Sequence, residues 1–118
     1  MSVDYRAEDG VRIVVLKDEF EIAILTGSTL TLDRRNDNVD VEIRCRNGRK
    51  LTATFFTLEN VKSLFEKNKQ TGECGGGLYF NCPDMILVEE LTVENIVKTV
   101  EELIKEKSLN SAFKNWED

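Results

Sequence analysis

Apolar and polar residues alternate most cleanly between residues 39 and 56. Val39, Val41, Ile43 and Cys45 fall on one parity, and Asp40, Glu42, Arg44 and Arg46 on the other. After Asn47-Gly48, Leu51, Ala53 and Phe55 alternate with Thr52, Thr54 and Phe56. A period of two marks a strand with one wet face, so the stretch predicts a β-hairpin. Burial also selects its register. A two-residue turn at Asn47-Gly48 sets Arg44 opposite Leu51 and puts the two apolar rows on opposite faces. A three-residue loop, Arg46-Asn47-Gly48 with Gly48 left-handed in a bulge, sets Ile43 opposite Leu51 and Val41 opposite Ala53. A slip of one residue inverts every side chain, so the three-residue loop is expected.

Upstream, residues 1–10 are polar and aperiodic and read as a loosely ordered lead-in. Residues 11–16 are β-branched and apolar on both parities, a strand buried on both faces. Lys17-Asp18-Glu19 makes a turn, and Phe20–Leu25 follows as a second strand. Gly27-Ser28 suits a tight hairpin leading to a third strand at 29–32, before a charged loop from Asp33 to Asn38. Downstream, Thr57 and Thr92 each stand where a helix N-cap is wanted, with Glu59 and Glu94 in the first turns. Leu58, Val61, Leu64 and Phe65 make the stripe of the first helix, which Gly72 ends. Val93, Ile96, Val97, Val100, Leu103 and Ile104 make that of the second. Leu109, Phe113 and Trp116 fall out of phase with it and predict a short turn folding back. The segments 57–61 and 92–96 nearly repeat. Duplication and two independent caps both account for that, and the generic capping pattern favours the caps.

Between the helices lies the stretch on which the rest depends, from Gly72 to Leu91. It holds four of the seven glycines, the single proline and two of the three cysteines. Gly75-Gly76-Gly77 invites a phosphate-loop reading, but such a loop follows a strand, opens a helix and continues into Lys and Ser/Thr. This one has Glu73 beside it and precedes an expected strand segment at 78–88. A flexible or close-packed approach to Leu78-Tyr79-Phe80 is the better reading. Asp84, after Pro83, is either a turn cap or an exposed anchor for a partner, and Pro-Asp turn chemistry favours the cap.

The fold class is therefore α+β: one domain over 1–118, with a mostly antiparallel sheet of five to six strands and two main helices covering one face. If the strands on either side of the first helix pair in parallel, their crossover should be right-handed. The 118 residues are enough for a core without disulfides or metal.

Composition narrows the chemistry. Histidine is absent, which removes the commonest general base, the commonest zinc ligand and every Ser-His or Cys-His pair. Cys74 and Cys82 are eight apart and Cys45 is remote, so neither zinc nor a disulfide framework is expected, and no cofactor. Cys82 beside Asp84 lacks any group to lower its pKa and reads as a structural thiol. Glu89-Glu90, adjacent at a strand end, should point to opposite faces, and no carboxylate pair is placed for hydrolysis. Free thiols, the lack of a secretion signal at the N-terminus and the lack of long apolar runs suggest a cytoplasmic protein without membrane spans.

Net charge is −6, but residues 34–72 carry +4 while 73–118 carry −6. The acidic part argues against general nucleic-acid binding and suits a basic partner. The basic cluster Arg44, Arg46, Arg49 and Lys50 sits at the hairpin tip, where charge guards against edge aggregation.

Tyr79-Phe80, Asp84-Met85-Ile86-Leu87-Val88 and the helix beginning at Thr92 resemble small bacterial immunity-type and uncharacterised accessory proteins, over residues 78–113. The resemblance implies a cytoplasmic protein that blocks a toxin by surface complementarity, without catalysis. The partner-binding candidates are Glu73, Tyr79, Asn81, Asp84, Glu89 and Glu90. Two other classes stay open. One is a small ligand-binding or enzymatic domain using Tyr79, Asn81 and Asp84 around the Gly75-Gly76-Gly77 loop. The other is a structural subunit completed by a second copy.

Overall fold

The strands come first and the helices later. The structure, a computed structural model, describes residues 5–8, 12–16, 20–26 and 32–116, with side chains over 20–26 and 32–114. β1 (Tyr5–Glu8), β2 (Arg12–Leu16), β3 (Phe20–Leu25), β4 (Asn38–Cys45) and β5 (Lys50–Thr57) are successive antiparallel neighbours. α1 (Leu58–Thr71) and the short α2 (Glu73–Gly77) then carry the chain to β6 (Met85–Val88), which pairs with β5 in parallel. α3 (Val93–Lys105), α4 (Leu109–Ala112) and β7 (Lys114–Trp116) finish the fold, with β7 antiparallel to the first half of β5.

The class is α+β, as expected, and the sheet is mixed. Among the described residues it has seven strands, four of which, β3 to β6, have fully described side chains. The extra strands are β1, inside the expected lead-in, and β7. The turns expected at 17–19 and at Gly27-Ser28 lie outside the described residues, as does most of the strand expected at 29–32.

The hairpin takes the register that burial selects. Ile43 pairs with Leu51 and Val41 with Ala53, Gly48 has φ of 92°, and the Gly48 amide donates to the Cys45 carbonyl at 3.0 Å. β3 continues the same parity, Ile22 opposite Ile43 and Ile24 opposite Val41. These residues, with Val39 and Phe55, make one apolar face. Leu91 and the α3 stripe Ile96, Val97 and Val100 cover it, and Phe113 joins from beyond α4.

The helices do not share that duty. No residue of α1 belongs to the core cluster, Leu58 is 53% exposed and Val61, Leu64 and Phe65 are only half-buried, whereas α3 buries three side chains completely. The expectation of two helices on one face is thus met by α3 alone. The caps at Thr57 and Thr92 are as expected: each hydroxyl accepts from the amide three residues on, Asn60 at 3.1 Å and Asn95 at 3.0 Å. The out-of-phase Leu109 and Phe113 belong to the expected fold-back, with Phe113 edge-on to Phe55 at 6.1 Å.

The glycine stretch approaches α1 closely at Gly77 and is not the start of a strand. Cys74, Gly75 and Gly76 all adopt left-handed helical angles, and the Leu78 amide closes the turn on the Cys74 carbonyl at 3.0 Å. Left-handed turns cost L-residues about 1–2 kcal/mol each, so three glycines in a row make the geometry accessible. Gly77 ends the turn against the last turns of α1. Residues 78–82 take no strand pairing, contrary to the expected 78–88 strand, and β6 is confined to four residues. Phe80 instead packs edge-on against Phe56 at 5.4 Å, on the sheet face opposite the core cluster.

Candidate functional site

β6 is the last strand of the sheet path, and it divides five of the six residues singled out from sequence into two groups. Tyr79, Asn81 and Asp84 precede it; Glu89 and Glu90 follow it. Its four residues span about 13 Å, so the groups do not meet at one point. Glu73 stands apart, 3.7 Å from Lys67 on α1.

Tyr79 is 53% exposed and Asn81 is exposed, both free for a partner. Asp84 is half-buried, with φ of 53°, and its carbonyl accepts from the Thr54 amide at 3.0 Å. That bond begins the parallel pairing, so Asp84 does turn work, as its place after Pro83 suggested. Aspartate tolerates this conformation better than most L-residues. Asp84→Gly is therefore expected to leave stability within about 0.5 kcal/mol of the parent, while Asp84→Val costs about 1–3 kcal/mol. Urea melts of both variants check this; equal losses would mean that the backbone angle is not what the residue supplies.

Glu89 and Glu90 were expected on opposite faces. The strand ends at Val88 and the chain bends there, so both line one groove. The groove, about 510 Å³, runs between the end of β6 and a stripe of α3 made by Asn95, Lys98, Thr99, Glu102 and Leu103, continued by Glu106 at the helix C-cap. Val88 and Leu103 supply its apolar floor. Glu89, Glu90, Glu102 and Glu106 surround it with carboxylates, against Lys98 in the lining and Arg34 beside Glu90.

The chain around the groove is held from both sides. The Asn95 amide group donates to the Glu90 carbonyl at 2.9 Å, and the Thr99 hydroxyl to the Asn95 carbonyl at 2.7 Å. From across the sheet end, the Arg34 carbonyl accepts from the Leu91 amide at 2.8 Å, and the Arg34 guanidinium lies 3.8 Å from Glu90. The loop carrying Arg34 is in turn fastened to the start of α1 through Asn36, Asn38, Asn60 and Ser63. The acidic groove is thus set on a braced frame.

The sequence pattern marked Leu103 only as part of the second helix's apolar stripe and did not single out Asn95, Lys98, Thr99, Glu102 or Glu106 as a lining. The available signal was the short polar pair Asn95 and Thr99 directly beside the buried stripe, where a solvated face more often carries long charged residues.

A second, smaller depression of about 270 Å³ lies on the other face, where Asp84 and Pro83 approach Asp40, Glu42, Thr52 and Thr54. Two of its three acids are already engaged: Asp40 accepts from the Thr54 hydroxyl at 2.8 Å, and Glu42 lies 3.3 Å from Arg44 and 3.9 Å from Lys50. The same contacts partly neutralise the basic hairpin tip. Among the described residues no group of three or more Cys, Asp or Glu is arranged to hold a metal, and no helix is long and apolar enough to cross a membrane.

Compared with known proteins, the chain matches no family model, no curated protein and no solved structure.

Proposed function

We propose that the protein is a non-catalytic protein-binding module of the immunity or inhibitor kind, which neutralises a basic toxin or effector in the cytoplasm. The observation that carries the reading is the groove between β6 and α3, an apolar floor rimmed by Glu89, Glu90, Glu102 and Glu106. Such a surface steers a basic partner during approach and desolvates its anchor once docked. The three free thiols, Cys45, Cys74 and Cys82, support a reducing compartment. The rival reading, a ligand or active site at the glycine loop, gains no support from Tyr79 and Asn81, which lie exposed, or from Asp84, which serves a turn.

Immobilised protein, incubated with native lysate, is expected to retain a basic protein at low salt and to lose it with Glu102→Lys and Glu106→Lys combined. Both residues are exposed, so the fold should not change. With the purified partner, association should slow about tenfold or more between low and physiological salt. An association rate flat across that range sinks the electrostatic part of the reading.

A further inference from the structure

The open edge of β6 lies beside the acidic groove, and the two fit one kind of occupant. Among the described residues β6 pairs with β5 alone, in the register Thr54 with Met85 and Phe56 with Leu87. In a parallel pair, alternate residues turn both main-chain groups toward the neighbour. The Asp84 carbonyl accepts from the Thr54 amide, so Ile86 and Val88 face β5. Met85 and Leu87 therefore turn their N–H and C=O groups the other way, where no described strand pairs with them. β7 does not cap this edge, because it shares the far half of β5 instead.

The edge is short, at four residues, but carries no other protection within the strand. Exposed edges are commonly blunted by a charge, a proline or a bulge within the strand. β6 reads Met-Ile-Leu-Val, and Leu87 is 46% exposed. The lateral stripe of α3, Asn95, Thr99 and Glu102, with Glu106 at its C-cap, makes the second wall of the groove at its end. We infer that an extended segment of the partner, with basic and apolar residues in alternation, adds to β6 as a further strand beside α3; the inference rests on the protein-binding reading above.

The chemistry of the segment follows from the two faces it would acquire. Residues on the core side of the sheet enter the groove; there, Lys or Arg stems lie over Val88 and Leu103 while their heads reach Glu90, Glu102 and Glu106. Residues on the other side lie beside Leu87 and are apolar. Main-chain bonds supply part of the affinity and the alternating side chains the selectivity. A second copy of this chain is the poorer occupant, because edge-to-edge pairing would bring two sets of these glutamates together in a protein of net charge −6.

The test uses the whole protein and a six-residue peptide alternating lysine and valine, read by NMR titration at low salt. Two further versions carry N-methyl groups, one on the lysine amides and one on the valine amides. An added strand turns only one of those sets toward β6. One methylated version is therefore expected to bind about tenfold or more weakly and the other nearly as the parent. Leu87→Pro removes an outward N–H while sparing the ladder with β5, so it should lose the peptide and keep its circular dichroism and melting midpoint. Equal binding by both methylated peptides overturns strand addition. So does a basic lysate partner whose binding ignores Leu87→Pro, and that result leaves the module reading standing. Binding of a glutamate–valine peptide as tightly as the lysine one overturns the basic chemistry. A dimer that Leu87→Pro converts to monomer makes the occupant a second copy and overturns the proposal, as does the absence of any peptide binding at millimolar concentration.

Discussion

Phe55→Ala is expected to lower the unfolding free energy by about 3–5 kcal/mol, a large share of the 5–15 kcal/mol typical of a domain. Phe55 is fully buried. It lies opposite Val39 on β4 and Ile86 on β6, and it meets Phe113 edge-on with rings 6.1 Å apart and inclined by 63°. One side chain therefore joins the antiparallel half of the sheet, the parallel strand and the returning C-terminal segment. Removing it leaves a cavity that rigid strands on both sides cannot close. Urea denaturation gives the number. A double-mutant cycle with Phe113→Leu should show a coupling of about 0.5–1.5 kcal/mol from the ring pair. A loss below about 1 kcal/mol for Phe55→Ala would mean that the C-terminal segment does not dock on the sheet.

The position of Phe55 was legible in the sequence because parity and burial constrain each other. Val39, Val41 and Ile43 on one side of Asn47-Gly48, and Leu51, Ala53 and Phe55 on the other, admit one register that buries both rows, and the chain adopts it. Thr57 and Thr92 were legible for a related reason, since a hydroxyl at the start of an apolar stripe has one good use. α3 was legible because its stripe is wide and continuous.

α1 shows where the same logic fails. Its stripe at Leu58, Val61, Leu64 and Phe65 has the correct spacing, yet spacing reports only that a face is apolar, not how deeply a neighbour covers it. Nor could parity foresee the end of β6. Four apolar residues at 85–88 look able to extend back through Phe80, but Pro83 cannot donate to a ladder and Asp84 takes a left-handed angle. Phe80 is released to pack on Phe56.

The groove was only half legible. Glu89 and Glu90 were singled out as partner-binding residues, while the α3 wall that turns them into a concave surface depends on how the helix crosses the strand end. Crossing geometry is a property of packed elements, and the polar pair Asn95 and Thr99 hints at a lined face without fixing how the helix crosses. Tyr79 and Asn81, singled out with them, stay exposed in the unpaired segment that precedes the strand.

Gly77→Ala is expected to cost about 2–4 kcal/mol, through added strain and overpacking together. Gly77 has φ of 81°, and a Cβ built there would lie 2.5 Å from Lys69 Cγ, 2.9 Å from the Phe65 carbonyl oxygen and 3.1 Å from the Lys69 amide nitrogen. The lysine side chain can swing aside, but the two backbone atoms belong to α1 and move only with the helix. Gly76→Ala is the control. Its φ of 73° is equally foreign to an L-residue, yet nothing lies within 4 Å of the added carbon. It should lose only the conformational part, about 1 kcal/mol. The difference between the two melts therefore measures the close approach of the glycine turn to α1. Equal losses would show that α1 yields freely and that the turn is not seated against it. If it is seated, Gly77→Ala should also disturb Tyr79 and Phe80, which leave the turn directly. Amide shifts across 78–88 should then move further in Gly77→Ala than in Gly76→Ala, and the start of β6 with them.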